Sequence, residues 1–217
     1  LQIDAQILDK NNPTVASTLN NLALLYEAQG FFDKAKPLFQ RSLSINEAFY
    51  GSNHLNVAIS LNNSALLYVG QGHYAQAEPL YQRAIKIQEQ WFKKDHQNTA
   101  DTMTNLGDLY RMQGKYAQAE RLLNRALAIH EKTLAPGHVD IARDMNCLAI
   151  VYDEQGRRAQ AKRLYEQALA LYEKAHGAEH PAVASILDNL GNIYSSERQY
   201  GKAKQYYLRA LAINEKL

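Results

Sequence analysis

The chain has 217 residues, and its 24 Lys plus Arg against 22 Asp plus Glu leave a formal net charge of +2, too balanced and too scattered to mark a nucleic-acid or anionic-membrane surface. One cysteine, Cys147, excludes an intrachain disulfide and points to a reducing, cytoplasmic setting. No run approaches the roughly 18 apolar residues of a membrane span, and the start lacks a signal-peptide pattern.

Gly30, Gly72, Gly114 and Gly156 stand 42 residues apart, and the next step falls on Arg198. Tyr26, Tyr68, Tyr110, Tyr152 and Tyr194 keep the same step, as do Ala35, Ala77, Ala119, Ala161 and Ala203. Such a gapless period is the signature of a repeat architecture. In chain order, residues 1–9 place Leu1 and Ile3 one period before Leu43 and Ile45, so they read as the end of a truncated preceding copy. Copies then run over approximately 10–51, 52–93, 94–135, 136–177 and 178–217, expected to form a single domain over 1–217.

In the first copy Val15, Ala16, Leu19, Leu22, Ala23 and Tyr26 recur at helical spacing, which predicts a helix A over 13–29 and its four translates. Gly30 can take the left-handed conformation that ends a helix. Phe32, Ala35, Leu38, Phe39, Leu43 and Ile45 then form the stripe of a helix B, expected to start near residue 33 so that Pro37 and Pro79 fall where amides have no intrahelical acceptor. No such pair buries its stripe alone, so the copies must stack into an all-α solenoid, with small residues in the Ala35 and Ala77 column permitting close approach. Leu217 closes the fifth helix B with no polar cap after it, and end-to-end self-association through the terminal repeats is expected.

The run Leu19-Asn20-Asn21-Leu22-Ala23 to Tyr26, then Gln29-Gly30, Ala35 and Pro37-Leu38-Phe39-Gln40-Arg41-Ser42-Leu43, resembles the 42-residue tetratricopeptide repeat of the kinesin light chain subfamily. His180-Pro181-Ala182-Val183-Ala184 is similar to the inter-repeat signature of that subfamily. The resemblance implies a right-handed superhelix of five repeats, with helix A lining a concave groove that takes a peptide or partner helix. It implies a protein-binding module rather than an enzyme. The alternative is a scaffold within a larger protein, whose groove stays empty.

His54, His96, His138 and His180 recur in every inter-repeat loop. Packed helices lie about 8–10 Å apart, whereas zinc ligands each sit about 2 Å from one ion, so these histidines read as structural and no metal or cofactor is expected. Asp95 precedes His96, but no nucleophile accompanies such a pair in the other copies, and no catalytic residue is assigned. Trp91, at the end of a helix B, is either a partner anchor or packed on the loop that follows it.

The asparagines are the stronger lead, because helix interiors rarely select them. Asn20, Asn21, Asn62, Asn63, Asn105, Asn146 and Asn189 lie beside the helix A core stripe, and Cys147 occupies an Asn column. Their amides suit the backbone of an extended peptide, or they bond between adjacent repeats and stiffen the solenoid. One turn on, Leu24, Leu66, Asp108, Ile150 and Asn192, then Glu27, Val69, Arg111, Asp153 and Ser195, vary as specificity positions would. Placing Glu27, Asp101, Asp108, Asp153, Glu154 and Asp188 in the groove with Arg111 and Arg143 gives it a net charge of −4. A ligand with basic residues is therefore expected, with Arg111 and Arg143 available for one carboxylate. The candidate peptide-binding set comprises these asparagines with Asp108, Arg111, Arg143, Asp188 and Asn192. Ser17, Ile59, Asp101, Arg143 and Ser185 depart from the paired Lys and Arg of tetratricopeptide carboxylate clamps.

Overall fold

The computed structural model describes residues 12–216, and among these it contains ten α-helices and no strand. The first helices of the pairs are α1 (Pro13–Ala28), α3 (Leu55–Gly70), α5 (Gln97–Met112), α7 (Val139–Glu154) and α9 (Pro181–Ser196). They end one residue short of the predicted helix A spans. The second helices are α2 (Phe32–Tyr50), α4 (Tyr74–Phe92), α6 (Tyr116–Thr133), α8 (Arg158–His176) and α10 (Tyr200–Asn214). The expected tail of a preceding copy at 1–9, and Leu217, lie outside the described residues.

Each turn between paired helices is closed by the same pair of backbone bonds. Gly30 N–H reaches Glu27 O and Phe31 N–H reaches Tyr26 O, both at 2.8 Å, which satisfies carbonyls that the helix end orphans. Gly30 sits at φ +76°, and Arg198, in the same column, is forced to φ +60°. The tyrosine column thus supplies a carbonyl to every turn: Tyr68, Tyr110, Tyr152 and Tyr194 accept in the same way.

The start of helix B corrects the expectation about proline. α2 begins at Phe32 and α4 at Tyr74, so Pro37 and Pro79 are the sixth helical residues, past the first turn. There a proline withholds the N–H that the carbonyl four residues back would receive. The helices continue because Ala35 and Phe39 on either side of Pro37, and Ala77 and Tyr81 around Pro79, are buried in the core, and tertiary packing rather than local bonding dominates helix stability.

Two compact units divide the chain, residues 1–109 and 110–217, with the boundary inside α5. In the N-terminal unit α2 packs between α1 and α3, and α3 packs in turn on α4. In the C-terminal unit α7 packs between α6 and α8, and α9 between α8 and α10. Ala35, Ala77, Ala119 and Ala161 are fully buried, which is the close helix approach that small side chains allow. Gly191 goes further: a Cβ there would lie 2.6 Å from the Tyr207 ring.

Candidate functional site

The inter-repeat histidines are helix caps. Nδ1 of His54 and His96 accepts from the amides of Asn56 and Asn98 at 3.2 Å, that of His138 from Asp140 at 3.3 Å and that of His180 from Ala182 at 3.2 Å. Asn12 fills the same role ahead of α1. An imidazole can accept there only in its neutral form, with the proton on Nε2. His54 also stacks on Tyr50, four residues earlier, at 4.2 Å between ring centroids, and His96 on Phe92 at 3.5 Å. Trp91 is 50% exposed and sets its ring edge-on against His54 at 4.8 Å. It therefore contacts the loop that opens its own copy.

On the first helices of the N-terminal unit, four of the candidate asparagines form a ladder. Asn63 Nδ2 donates to Asn20 Oδ1 at 2.9 Å, Asn105 Nδ2 to Asn62 Oδ1 at 3.1 Å, and Asn62 Nδ2 to Asn63 Oδ1 at 3.2 Å. Each carboxamide offers two N–H donors and two lone pairs, so the rungs leave donors and acceptors unused. Asn21 is exposed and makes no hydrogen bond among the described residues. In the C-terminal unit the equivalent pair, Asn146 and Asn189, is not joined: Asn146 Oδ1 is buried without a hydrogen-bond partner. Cys147 is half-buried.

Neither guanidinium of the candidate set awaits a carboxylate. Arg111 Nη1 lies 2.8 Å from Glu154 Oε1, and Arg143 Nη1 lies 3.3 Å from Asp140 Oδ1 one turn earlier in α7. Each guanidinium thus has an acidic partner on a first helix of its own unit. Asp188 is half-buried on α9, and Asn192 is exposed and accepts the Tyr207 hydroxyl at 2.7 Å.

Two tyrosines that read as core residues bring chemistry to these faces. Tyr81, 1% exposed, has its phenol pushed up by burial and by the carboxylates of Glu27 and Asp108. Tyr165 is also pushed up by burial and by Asp153 and Glu154, while Arg111 pulls it down. Burial raises the carboxyl of Glu27 above the ordinary range, and raises that of Asp153 against the opposing pull of Arg158. A second feature invisible in the repeat pattern is the pair His130 Nδ1 and Asp144 Oδ2, 2.6 Å apart with both side chains fully buried. Among the described residues no three His, Cys, Asp or Glu are grouped to hold a metal ion.

The tetratricopeptide repeat model matches residues 14–90, 74–132, 98–174 and 140–216. The chain belongs to the tetratricopeptide repeat family. Among solved structures it is similar to the nearly identical TPR-like repeats of a Podosopora anserina protein described as a kinesin light chain. The two share 24% identity over 96% of this chain and 98% of that one, with a TM-score of 0.78. It is similar as well to BtubC (BKLC) from P. vanneervenii, at 22% identity over 94% of this chain and 81% of that one, with a TM-score of 0.82. PilF of Pseudomonas aeruginosa follows at 21% identity, 92% and 76% coverage, and a TM-score of 0.69. No curated protein matches the sequence. The kinesin light chain-like neighbours establish the fold of these tetratricopeptide repeats, an all-α solenoid, and such repeats generally mediate protein–protein interaction without catalysing reactions. No helix is long and apolar enough to cross a membrane among the described residues.

Proposed function

We propose that this tetratricopeptide repeat chain holds an extended peptide or partner helix on the faces of its first helices, gripping main-chain groups with the asparagine amides. The observation that carries this reading is the ladder of the N-terminal unit. It fixes Asn20, Asn62, Asn63 and Asn105 in place while leaving each amide some hydrogen-bonding capacity, which is how preorganisation lowers the entropic cost of association. Asn21 adds an amide with both functions open. Asp108, Arg111, Arg143, Asn146, Asp188, Asn189 and Asn192 supply the side-chain preferences, with the carboxylates favouring basic ligands. The same rungs also favour the scaffold reading, since they stiffen the joint between repeats whether or not anything binds.

The two readings part in a peptide-display selection run with the wild-type chain and an Asn21→Ala variant. Asn21 takes no part in the ladder, so its removal leaves the joint intact and helicity by circular dichroism unchanged. Peptides enriched by the wild type and bound several-fold more weakly by the variant support the groove. No enrichment, or enrichment indifferent to Asn21→Ala, leaves the scaffold.

A further inference from the structure

We propose that a cavity between α1, α2 and α3 receives one carboxamide side chain, Asn or Gln, of the bound peptide. The inference rests on the peptide-binding reading above and adds the class of side chain recognised. The cavity measures about 150 Å³, whereas a single water needs only about 10–15 Å³. Its floor is formed by Ser42, Asn46 and Ser60, which are 1%, 7% and 2% exposed, and its mouth by the exposed Ser17, Asn21 and Ile59. The polar atoms of the wall are held in place without being saturated. Ser42 Oγ donates to Ala16 O at 2.8 Å and Ser60 Oγ to Asn56 O at 3.1 Å. Asn46 Nδ2 donates to Ser60 Oγ at 2.9 Å and makes a longer contact of 3.5 Å with Asn56 O, while Asn46 Oδ1 makes no hydrogen bond among the described residues. Asn20 Oδ1 accepts from Asn63, which leaves its own Nδ2 as a donor.

The cavity therefore offers donors and acceptors together and no charge. A charged side chain would be buried there unpaired, and an apolar one would strand Asn46 Oδ1. A carboxamide carries both functions in one planar group and fills more of the space than a hydroxyl does. The repeat explains why the room exists at this joint. In the next three copies the place of Asn46 is taken by Gln88, His130 and Tyr172, all longer and none more than 9% exposed. The place of Ser60 is taken by Thr102, Asp144 and Ile186, all larger. The first joint thus combines the smallest side chain of each series. The later joints also carry charge where this one is neutral: Asp101 and Arg143 stand in the column of Ile59, and Asp140 in that of Asn56.

The test uses the whole chain in a random peptide-display selection, followed by titration of a selected peptide and of two analogues of similar shape, one charged and one apolar: Gln→Glu and Gln→Met, or Asn→Asp and Asn→Leu. The expected result is a fixed Asn or Gln position among wild-type binders and about tenfold weaker binding of both analogues. Asn46→Gln, the side chain that the next copy already uses, fills the cavity from within. It should bring parent and analogues to the same weaker level, with helicity by circular dichroism unchanged. Because the analogue arm needs no change to the protein, a folding defect in the variant cannot mask the answer. Binders without a fixed Asn or Gln, or an apolar analogue that binds as well as its parent, overturn the cavity while leaving the groove standing if Asn21→Ala still weakens them. A carboxamide preference that survives Asn46→Gln intact also overturns it, since the side chain is then read elsewhere on the face. Failure to select any peptide removes groove and cavity together.

Discussion

The two units carry the same columns and settle their polar joints differently. In the N-terminal unit the joint between α2 and α3 is closed by Asn46 Nδ2 on Ser60 Oγ at 2.9 Å, a neutral bond. The equivalent joint in the C-terminal unit, between α6 and α7, is closed by His130 and Asp144 with both side chains fully buried. Between α8 and α9 the same two places hold Tyr172 and Ile186, an apolar solution. A repeat stack fixes where a contact must be made and leaves its chemistry open. Burying an ionisable pair is the riskiest of the three solutions, because losing one partner strands the other in a dry site.

The largest predicted effect breaks that joint. Asp144→Ala should lower stability by about 3–5 kcal/mol, against about 1 kcal/mol for Ser60→Ala in the N-terminal unit, measured by urea unfolding followed by circular dichroism. The double change His130→Tyr, Asp144→Ile, which copies the α8 and α9 joint, should recover most of the loss. Equal costs in the two units would show that charge at the joint carries no special penalty.

Next in size are the turns. Arg198 holds the left-handed conformation that glycine holds in the other four copies, so Arg198→Gly should stabilise the C-terminal unit by about 1 kcal/mol and Gly72→Ala should destabilise the N-terminal unit by about as much. The caps follow. His54→Ala removes the acceptor for the Asn56 amide and should cost about 1 kcal/mol, whereas His54→Asn, the choice already made at Asn12, should cost little.

The repeat period alone makes the fold legible: the glycine column marks each turn, and the spacing places the end of helix A within one residue. What the period hides is whatever depends on the offset between neighbouring copies. Asn20 meets Asn63, Asn62 meets Asn105 and Arg111 meets Glu154, all 43 residues apart, one more than the period, because adjacent first helices pack with a one-residue shift. Alignment by 42 sets Arg111 beside Asp153 instead, so the period names the wrong carboxylate. Tyr81 and Tyr165 share a column with Phe39 and Leu123, so they read as core and their hydroxyls leave no periodic trace. No other His shares the column of His130 and no other Asp that of Asp144, so no periodic signal can pair them. The inter-repeat histidines do read as structural from their spacing, but their part as caps depends on the direction of Nδ1, which no spacing encodes.

The smallest effect is that of Glu27. Burial raises the Glu27 carboxyl in the folded chain, so the folded state holds that proton more tightly than the unfolded state does. The stability that Glu27 contributes is then fully present below the unfolded value, about 4.3, and is lost as pH rises through the raised folded value. Glu27→Gln is insensitive to pH over this window. At pH 7 the variant should melt higher than the wild type by on the order of 1 °C, and the gap should close as pH falls below about 4. In the C-terminal unit, where Arg111 replaces Glu27 and is neutralised by Glu154, Arg111→Gln should act in the opposite sense at neutral pH, because it removes the Glu154 partner. A wild type that melts above Glu27→Gln at pH 7 without any peptide would mean that the chain already neutralises Glu27 itself, and the two units would then have reached the same electrostatic arrangement by different residues.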